Sequence, residues 1–286
     1  MNLLKLRSML EEFYREDLGE GDLSSETLFH SQEGMITLVA KQPGVFCGED
    51  IVRTAYAMFD ASIEVDLFVK DGEAVGEGQQ LGTVKGRMKD LLQGERVILN
   101  LIQRMSGIAK ETAEAVKAVG GSGTRICDTR KTTPGLRMLE KYAVRVGGGY
   151  NHRFGLYDAV MLKDNHIAFA GSITKAVETI RSATGHMVKI EVEIETEEQL
   201  IEAVASRVDV IMFDNRTPEE IKEWMRHVPA GIITEASGGI SREMLKDYAW
   251  TGIDYISLGY LTHSVAALDI SARVDIRKDE QTHGNS

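Results

Sequence analysis

The sequence has few cysteines, few prolines and no long apolar run. Its 286 residues include four prolines, 6% aromatic residues and two cysteines, Cys47 and Cys127. Cysteines this far apart form neither a disulfide framework nor a CxxC metal motif, so they are typical of a reduced, cytoplasmic protein. Lys5 and Arg7 interrupt the apolar residues of the first helical segment, and no apolar stretch reaches membrane-spanning length. We therefore predict no membrane span and no membrane partner.

Basic residues are outnumbered as well. The chain has 33 Lys and Arg against 44 Asp and Glu, a formal net charge of -11 at pH 7. This balance argues against nucleic acid as a partner, because a phosphate backbone favours a broad basic surface. Residues 124–166 are the exception, with eight basic and four acidic residues. A cleft that binds a polyanion concentrates one sign of charge. The segment therefore predicts an anion-binding active site, with an ordinary basic surface as the alternative.

Changes in pattern divide the chain into domains. Residues 1–107 combine an amphipathic helix with short, glycine-punctuated strands, which predicts a smaller N-terminal α+β sandwich domain. Residues 108–267 repeat strand, loop and helix, which predicts a C-terminal α/β barrel catalytic domain. Six short apolar runs occur there, so the fold class is α/β, with an incomplete barrel of about six βα units. The alternating residues 268–277 could form a strand that returns to the N-terminal domain, and residues 278–286 form a polar tail.

Polar residues follow the apolar runs of the predicted barrel. Parallel barrels assemble active sites at the carboxyl ends of their strands, where the loops after the strands meet. We therefore expect the residues at these positions to share one face of the barrel. They are Asp128, Thr129, Arg130, Lys131, Lys163, Asp164, Glu193, Asp214, Asn215, Glu235 and Ser237.

Two features of the later strands indicate phosphate and metal chemistry. Residues 237–241 (SGGIS) and 257–264 (SLGYLTHS) are glycine-containing loops whose backbone N–H groups could approach a phosphate. Glu193 and Asp214 are single carboxylates at equivalent ends of neighbouring strands. One or two carboxylates with substrate oxygens and water often hold Mg²⁺, so a shared Mg²⁺ site is predicted. Ion pairing with the basic cluster is the alternative.

Lys163, His152 and Arg153 could contact the substrate directly. A lysine at the end of a barrel strand can form a Schiff base, so an aldolase is a second hypothesis from the residues alone. The many arginines favour carboxylates and phosphates instead, because guanidinium groups bind them in a bidentate manner. His152 and Arg153 follow a glycine triplet, and we expect His152 to donate to an anionic group. His166 lacks an HxxxH or cysteine partner, so a zinc site is not expected.

Several long strings resemble the quinolinate phosphoribosyltransferase family. They are ERVILNLIQRMSGIA, TRKTTPGLR, KYAVRVGGGYNHRFGLYDAVMLKDNH, EVE, IMFDN, EASGGI and GIDYISLGYLTHS, and the early EDLGEGDLSSETL resembles that family's N-terminal connector. The resemblance implies a two-domain enzyme, active as a homodimer or an assembly of dimers. It implies that quinolinate reacts with 5-phosphoribosyl-1-pyrophosphate in the presence of Mg²⁺ to give nicotinate mononucleotide, pyrophosphate and CO₂ in de novo NAD biosynthesis.

The resemblance also implies roles for individual residues. Arg130, Lys131, His152, Arg153 and Lys163, with Thr129 beside them, would hold the quinolinate carboxylates and the phosphoribosyl donor, and Arg96 would reach the neighbouring subunit's active site. Glu193 and Asp214 would lie near the ribose and Mg²⁺, which they could contact directly or through water, and together with Lys163 they would be the catalytic residues. The 5-phosphate loops would comprise Ser237, Gly238, Gly239, Leu258, Gly259 and Tyr260. The sequence departs from the family at Tyr260, where a smaller residue is common.

Two further alternatives remain on the sequence. A paralogous phosphoribosyltransferase could act on another heterocyclic carboxylate, although the abundance of cations favours a diacid. A non-catalytic protein could bind the phosphoribosyl donor or a nucleotide as a sensor. Lys163, Glu193 and Asp214 argue against a sensor, because binding alone does not need groups that stabilise a transition state.

Overall fold

A computed structural model describes residues 1–275. The predicted polar tail at 278–286 and the last two residues of the predicted strand at 268–277 lie outside the described residues. The chain forms two compact units. The first comprises residues 1–110 and the described part of 265–286, and the second comprises residues 111–264.

The elements alternate between helix and strand along most of the chain. In chain order they are α1 (Leu3–Leu18), α2 (Leu23–Leu28), β1 (Glu33–Ala40), β2 (Gly44–Val45), α3 (Glu49–Phe59), β3 (Glu64–Leu67), β4 (Ala74–Val75), β5 (Gln80–Arg87), α4 (Met88–Ala118), β6 (Arg125–Cys127), α5 (Arg137–Val146), β7 (Val160–Leu162), α6 (Asp164–Ala170), α7 (Ile173–Ala183), β8 (Ile190–Ile194), α8 (Glu197–Ala205), β9 (Val210–Asp214), α9 (Pro218–Trp224), β10 (Ile233–Ser237), α10 (Leu245–Ala249), β11 (Tyr255–Ser257), α11 (Tyr260–His263) and β12 (Ile270–Asp275). Short 3₁₀ turns follow α9 and precede α10.

The first unit is built on a four-stranded antiparallel sheet in the order β12-β1-β5-β3. The last strand of the described residues, β12, pairs with the first, β1, in a register that runs from Met35 opposite Asp275 to Ala40 opposite Ile270. Apolar side chains of the sheet and of α1 are buried, among them Ile36 and Leu10. The long helix α4 begins directly after β5 and runs for 31 residues.

The second unit contains a six-stranded parallel sheet in the order β6-β11-β10-β9-β8-β7. Each of the six apolar runs forms one of its strands, which confirms the prediction of an α/β fold with about six βα units. Ile211 and Phe213 of β9 are fully buried, as expected for a parallel strand covered on both faces.

Local sequence sets where the helices begin after β8 and β9. The hydroxyls of Thr196 and Thr217 cap α8 and α9 by accepting from the backbone N–H groups of Gln199 and Glu220. In return, the side chains of Gln199 and Glu220 accept from the backbone N–H groups of the two threonines. Such reciprocal caps satisfy two backbone donors that a helix start leaves free. The loops are consequently short, and they hold the ends of β8 and β9 at one edge of the sheet.

Gly107 in α4 lies against backbone of its own unit. A Cβ atom at this position would lie 2.3 Å from the carbonyl oxygen of Ala266 and 3.2 Å from the Cα of Ala267. Replacing glycine with alanine inside a helix normally stabilises it by about 1 kcal/mol. Overpacking typically costs about 1–3 kcal/mol, and the rigid backbone contact places this site at the upper end. We expect Gly107→Ala to lower the free energy of unfolding, measured by urea denaturation.

Gly185→Ala is the matched control, because a Cβ atom there would have nothing within 4 Å. It should leave the unfolding midpoint close to that of the wild type. A Gly107→Ala variant as stable as the wild type would show that α4 does not approach residues 266–267 this closely.

Candidate active site

A cavity of about 520 Å³ lies at the carboxyl ends of the parallel strands in the second unit. Asp214, Ser237 and Ser257 are the last residues of β9, β10 and β11, and Lys163 directly follows β7. The residues lining the cavity are Thr129, Arg130, Lys131, His152, Arg153, Met161, Lys163, Glu193, Met212, Asp214, Asn215, Ser237, Gly238, Gly239 and Ser257. We refer to this cavity as the substrate pocket. It is the place where barrel enzymes assemble their active sites.

One wall of the substrate pocket concentrates positive charge. Burial and the neighbouring charge of Arg130 lower the pKa of the Arg153 guanidinium, which is still charged at neutral pH. Arg153 donates to the carbonyl oxygen of Ala159 at 3.0 Å. The Nε of Arg130 is buried and has no partner among the described residues. Two adjacent cations, one of which has a donor without a protein partner, are typical of an anion-binding site.

A second group of residues in the substrate pocket comprises two carboxylates and a lysine. The Nζ of Lys163 donates to Glu193 at 2.6 Å. Burial and the charge of Glu193 raise the pKa of Asp214, and its hydrogen bond from the amide of Asn215, at 2.7 Å, only partly opposes them. Glu193 and Asp214 thus influence each other electrostatically, and a cation bound between them would relieve the repulsion.

The loop after β10 approaches the neighbouring loop too closely for any side chain. Gly238 has φ +92°, and a Cβ atom on it would lie 2.3 Å from the Oδ1 of Asn215. Asn215 itself adopts φ 53° and donates its backbone N–H to the carbonyl of Ser237 at 2.9 Å. Only glycine fits at position 238. The loop therefore presents backbone to the substrate pocket, as a phosphate-binding loop requires.

The loop after β11 lies against Lys131. A Cβ atom on Gly259 would come within 2.9 Å of the Lys131 Cδ, and the hydroxyl of Thr262 donates to the Lys131 carbonyl at 2.8 Å. Leu258 is 1% exposed and Tyr260 is half-buried. These contacts bring the loop to the edge of the site, although the described pocket lining stops at Ser257.

A buried ion pair holds the loop that follows α5. Lys141 and Asp128 are both fully buried and paired with each other. The Asp128 carboxylate also accepts from the backbone N–H of His152 at 2.8 Å and from the Asn151 amide at 2.6 Å. Lys141 donates in addition to the carbonyl of His152 at 2.9 Å. Burial raises the pKa of Asp128, while the charge and hydrogen bond of Lys141 lower it. The pair thus fixes both backbone groups of His152.

His152 has protein partners at both ring nitrogens. Its Nε2 lies 3.0 Å from Glu191 and 3.7 Å from Glu235, and its Nδ1 accepts from the backbone N–H of Arg153 at 2.8 Å. Burial lowers the pKa of His152, but the hydrogen bond to Glu191 and the two carboxylate charges outweigh it and raise the pKa. A protonated ring would have to give up the bond that Nδ1 accepts, because an imidazolium has no acceptor nitrogen. The neutral ring keeps a proton on Nε2, and this donor faces the carboxylate of Glu191.

The structure brings most of the candidate residues from the sequence together. Every residue between 129 and 239 that the family resemblance assigned to the site lines the substrate pocket. Of the polar residues expected at the carboxyl ends of the strands, Asp128, Asp164 and Glu235 do not line it: Asp128 is buried against Lys141, Asp164 begins α6, and Glu235 is buried two residues before the end of β10. Arg96 lies elsewhere, on α4 in the first unit, with an exposed side chain.

Among the lining residues, Met161 and Met212 were absent from the sequence-based set. Ser257 was predicted only as the first residue of the glycine-containing loop 257–264, and it lines the pocket as the last residue of β11. Glu191 and Lys141 do not lie at the carboxyl end of a predicted strand, so the rule that points to polar residues at those ends could not have found them.

A cavity lined by cations and carboxylates at the carboxyl ends of parallel strands is typical of an α/β-barrel enzyme. The family model described as "Quinolinate phosphoribosyl transferase, C-terminal domain" matches residues 108–273, and the corresponding N-terminal model matches residues 22–106. The chain belongs to the quinolinate phosphoribosyltransferase family.

Individual relatives are similar over nearly the whole chain. A probable nicotinate-nucleotide pyrophosphorylase (carboxylating) of Bacillus subtilis is 53% identical, over 98% of this chain and 96% of its own length. The Mycobacterium leprae protein named nicotinate-nucleotide pyrophosphorylase (carboxylating) is 43% identical, over 82% of this chain and 84% of its own. The crystal structure of NadC from Streptococcus pyogenes has a TM-score of 0.92 at 39% identity, covering 96% of this chain and 97% of that one.

The buried Lys141 should be necessary for stability. Replacing it with methionine leaves the Asp128 carboxylate without its counter-charge, and breaking a buried pair in this way costs about 3–5 kcal/mol. We expect Lys141→Met to lower the unfolding free energy by that amount in urea denaturation. Lys246→Met, at an exposed position of α10, should change it by less than about 0.5 kcal/mol. Equal stability of the two variants would contradict the role given to the pair.

Proposed function

We propose that the protein transfers the phosphoribosyl group of 5-phosphoribosyl-1-pyrophosphate to the ring nitrogen of quinolinate. Decarboxylation follows, and the products are nicotinate mononucleotide, pyrophosphate and CO₂, as in de novo NAD biosynthesis. The observation that carries this proposal is that the substrate pocket combines the adjacent cations Arg130 and Arg153 with the carboxylates Glu193 and Asp214. The buried Nε of Arg130 has no partner among the described residues.

The cations of the substrate pocket suit the charges of the two substrates. Quinolinate has two carboxylates, and the donor has a phosphate and a pyrophosphate. We assign Arg130, Lys131, His152, Arg153 and Lys163 to these anions, with Thr129 beside them. Arginine matches planar carboxylates through two parallel hydrogen bonds. The unpartnered Nε of Arg130 supports this assignment.

The loops after β10 and β11 suit the 5-phosphate. Backbone N–H groups at Gly238 and Gly239 can approach a phosphate because neither residue has a side chain. Ser237 lines the same part of the substrate pocket. We assign the 5-phosphate to these residues and to the loop at Leu258, Gly259 and Tyr260, which lies against Lys131.

The two carboxylates of the substrate pocket, Glu193 and Asp214, suit Mg²⁺. Two carboxylates in one pocket, with the pKa of Asp214 raised by burial and by Glu193, have the oxygen donors and the excess negative charge that this ion prefers. Glu193 and Asp214 would hold it, directly or through water. When bound, Mg²⁺ supplies positive charge to the pyrophosphate leaving group. The same carboxylates lie where they can stabilise positive charge on the ribose.

The chemistry needs no protein nucleophile. The pyridine nitrogen attacks the ribose C1 as pyrophosphate leaves, and the ribose becomes cation-like on the way. The quaternised nitrogen then stabilises the electron pair left behind when the adjacent carboxylate departs as CO₂. The aldolase alternative is disfavoured because Lys163 donates to Glu193 at 2.6 Å, and a Schiff base needs a free amine lone pair.

We propose further that the enzyme works as a homodimer or an assembly of dimers, with Arg96 of one subunit reaching the substrate pocket of the next. Exposed apolar side chains on the second unit support an interface, since Phe169, Tyr157 and Leu156 are 95%, 86% and 74% exposed. None of the described helices is long and apolar enough to cross a membrane. A cytoplasmic location is proposed from the two free cysteines, which suit a reducing compartment.

Lys163→Ala should abolish turnover without unfolding the protein. The Lys163 side chain is 46% exposed, so its removal costs little stability. Loss of a charge that stabilises the transition state lowers kcat by about 100- to 1000-fold. The assay would follow nicotinate mononucleotide and CO₂ from quinolinate, 5-phosphoribosyl-1-pyrophosphate and Mg²⁺. The exposed Lys222→Ala in α9 is the control. Wild-type turnover by Lys163→Ala would refute the assigned pocket.

Arg96→Ala should be inactive alone but complemented by a second inactive variant. If subunits exchange, a hybrid of Arg96→Ala with Lys163→Ala contains one intact site, so an equal mixture should regain about a quarter of wild-type activity. The measurement is activity after the two purified variants have been mixed and allowed to exchange. Persistent inactivity despite proven hybrid formation would rule out a shared site.

A further inference from the structure

The barrel has a second cavity besides the substrate pocket, with a volume of about 240 Å³. Val160, Val210, Ile233 and Tyr255 line it, and they are the first residues of β7, β9, β10 and β11. It therefore lies toward the amino ends of the strands, opposite the substrate pocket. We call it the lower cavity.

One hydrogen bond connects the two cavities through the barrel interior. Ser257 lines the substrate pocket and Glu235 lines the lower cavity. The Ser257 hydroxyl donates to the Glu235 carboxylate, and each residue is only 4% exposed. The carboxyl of Glu235 and the hydroxyl of Ser257 thus form a hydrogen-bonded chain that leads from the lower cavity to the substrate pocket.

Glu235 lies in an acidic environment. Burial and the charge of Glu191 raise its pKa to about 8, although His152 and the Ser257 hydrogen bond lower it. The ionisable groups around it come from β6, the loop after β6, the loop before β7, and β8. They are Cys127, Asp128, His152 and Glu191. The raised pKa favours the protonated form of Glu235 at neutral pH. Its own O–H can then donate to the Ser257 oxygen, which frees the serine proton to point into the substrate pocket.

We propose that Glu235 and Ser257 form a proton relay that supplies the proton replacing the departing carboxylate. This proposal rests on the proposed function. The bond between the ring carbon and the carboxylate breaks, CO₂ leaves, and the electron pair remains on the carbon. That pair takes the Ser257 proton, the serine takes the Glu235 proton, and water entering the lower cavity reprotonates Glu235.

Four charged groups of the substrate pocket are poorer proton donors. The guanidinium groups of Arg130 and Arg153 do not release protons in proteins. Lys163 donates to Glu193, and the Nε2 of His152 faces Glu191 and Glu235 rather than an open donor position. The Glu235–Ser257 pair alone among these couples a protonated acid to a hydroxyl in the substrate pocket.

Glu235→Gln tests the relay because it keeps the size and the hydrogen bond but removes the acidic proton. In a single turnover, the enzyme would be mixed with both substrates and Mg²⁺, and pyrophosphate and CO₂ would be measured separately. Pyrophosphate release should stay within about twofold of the wild type. CO₂ release should slow by about 100-fold, because an unprotonated carbanion recaptures CO₂. Ser257→Ala should give the same separation of the two steps.

The pH profile gives an independent readout. Glu235 donates only when protonated, so wild-type CO₂ release should fall as pH rises through about 8. The Glu235→Gln variant should lack that fall. Glu202→Gln is the matched control, since Glu202 is half-buried in α8 and accepts from Thr174. It should keep both rates and the profile of the wild type.

Three outcomes would overturn the relay. They are unchanged CO₂ release in Glu235→Gln, equal slowing of pyrophosphate and CO₂ release, and a stoichiometric transition metal lost on this substitution. The last would assign His152, Glu191 and Glu235, whose ligand atoms lie within 4.8 Å of one another, to a metal instead. A wild-type enzyme that releases neither product would refute the proposed function itself, so the two failures are distinguishable.

Discussion

The buried pair of Asp128 and Lys141 is the interaction on which the site depends. A charge inside a protein is tolerated only when it is paired and hydrogen-bonded, and Asp128 meets both conditions through Lys141, Asn151 and the backbone of His152. The carboxylate belongs to the loop after β6, whereas its partners belong to α5 and the loop that follows. One fully buried contact therefore links three segments and fixes the position from which His152 and Arg153 enter the barrel.

The parallel strands arrange the polar side chains of the barrel interior in two layers. Side chains two residues apart on one strand face the same side, so Glu191 lies one layer beneath Glu193, and Glu235 lies beneath Ser237. The upper layer is half-exposed and carries the groups to which we assign the substrates. The lower layer is buried, and there desolvation raises the pKa of Glu235. In the proposed reaction the upper layer binds the polyanions and the lower layer supplies the proton.

Much of the fold and of the upper layer was predictable from the sequence. Apolar runs such as that of β9 followed by polar residues specify buried parallel strands with functional groups at their carboxyl ends, and each of the six runs is a strand. The lower layer was not predictable in the same way. Glu191 and Lys141 stand within strand and helix patterns, where a charged residue normally indicates a solvent-exposed face. Only the closure of the strands around them shows that they are buried.

The sequence by itself determined the α/β class, the order of the elements, the local concentration of positive charge in residues 124–166 and the membership of its strings in a family. These properties depend on local patterns, so neighbouring residues suffice to specify them. Tertiary structure decided which charged groups are paired, which have donors without a protein partner, and which carboxyl groups have a raised pKa. Those outcomes depend on desolvation and on distances between residues far apart in the chain. Asp128 and Lys141, or Glu235 and Ser257, acquire their roles only when the barrel brings them together.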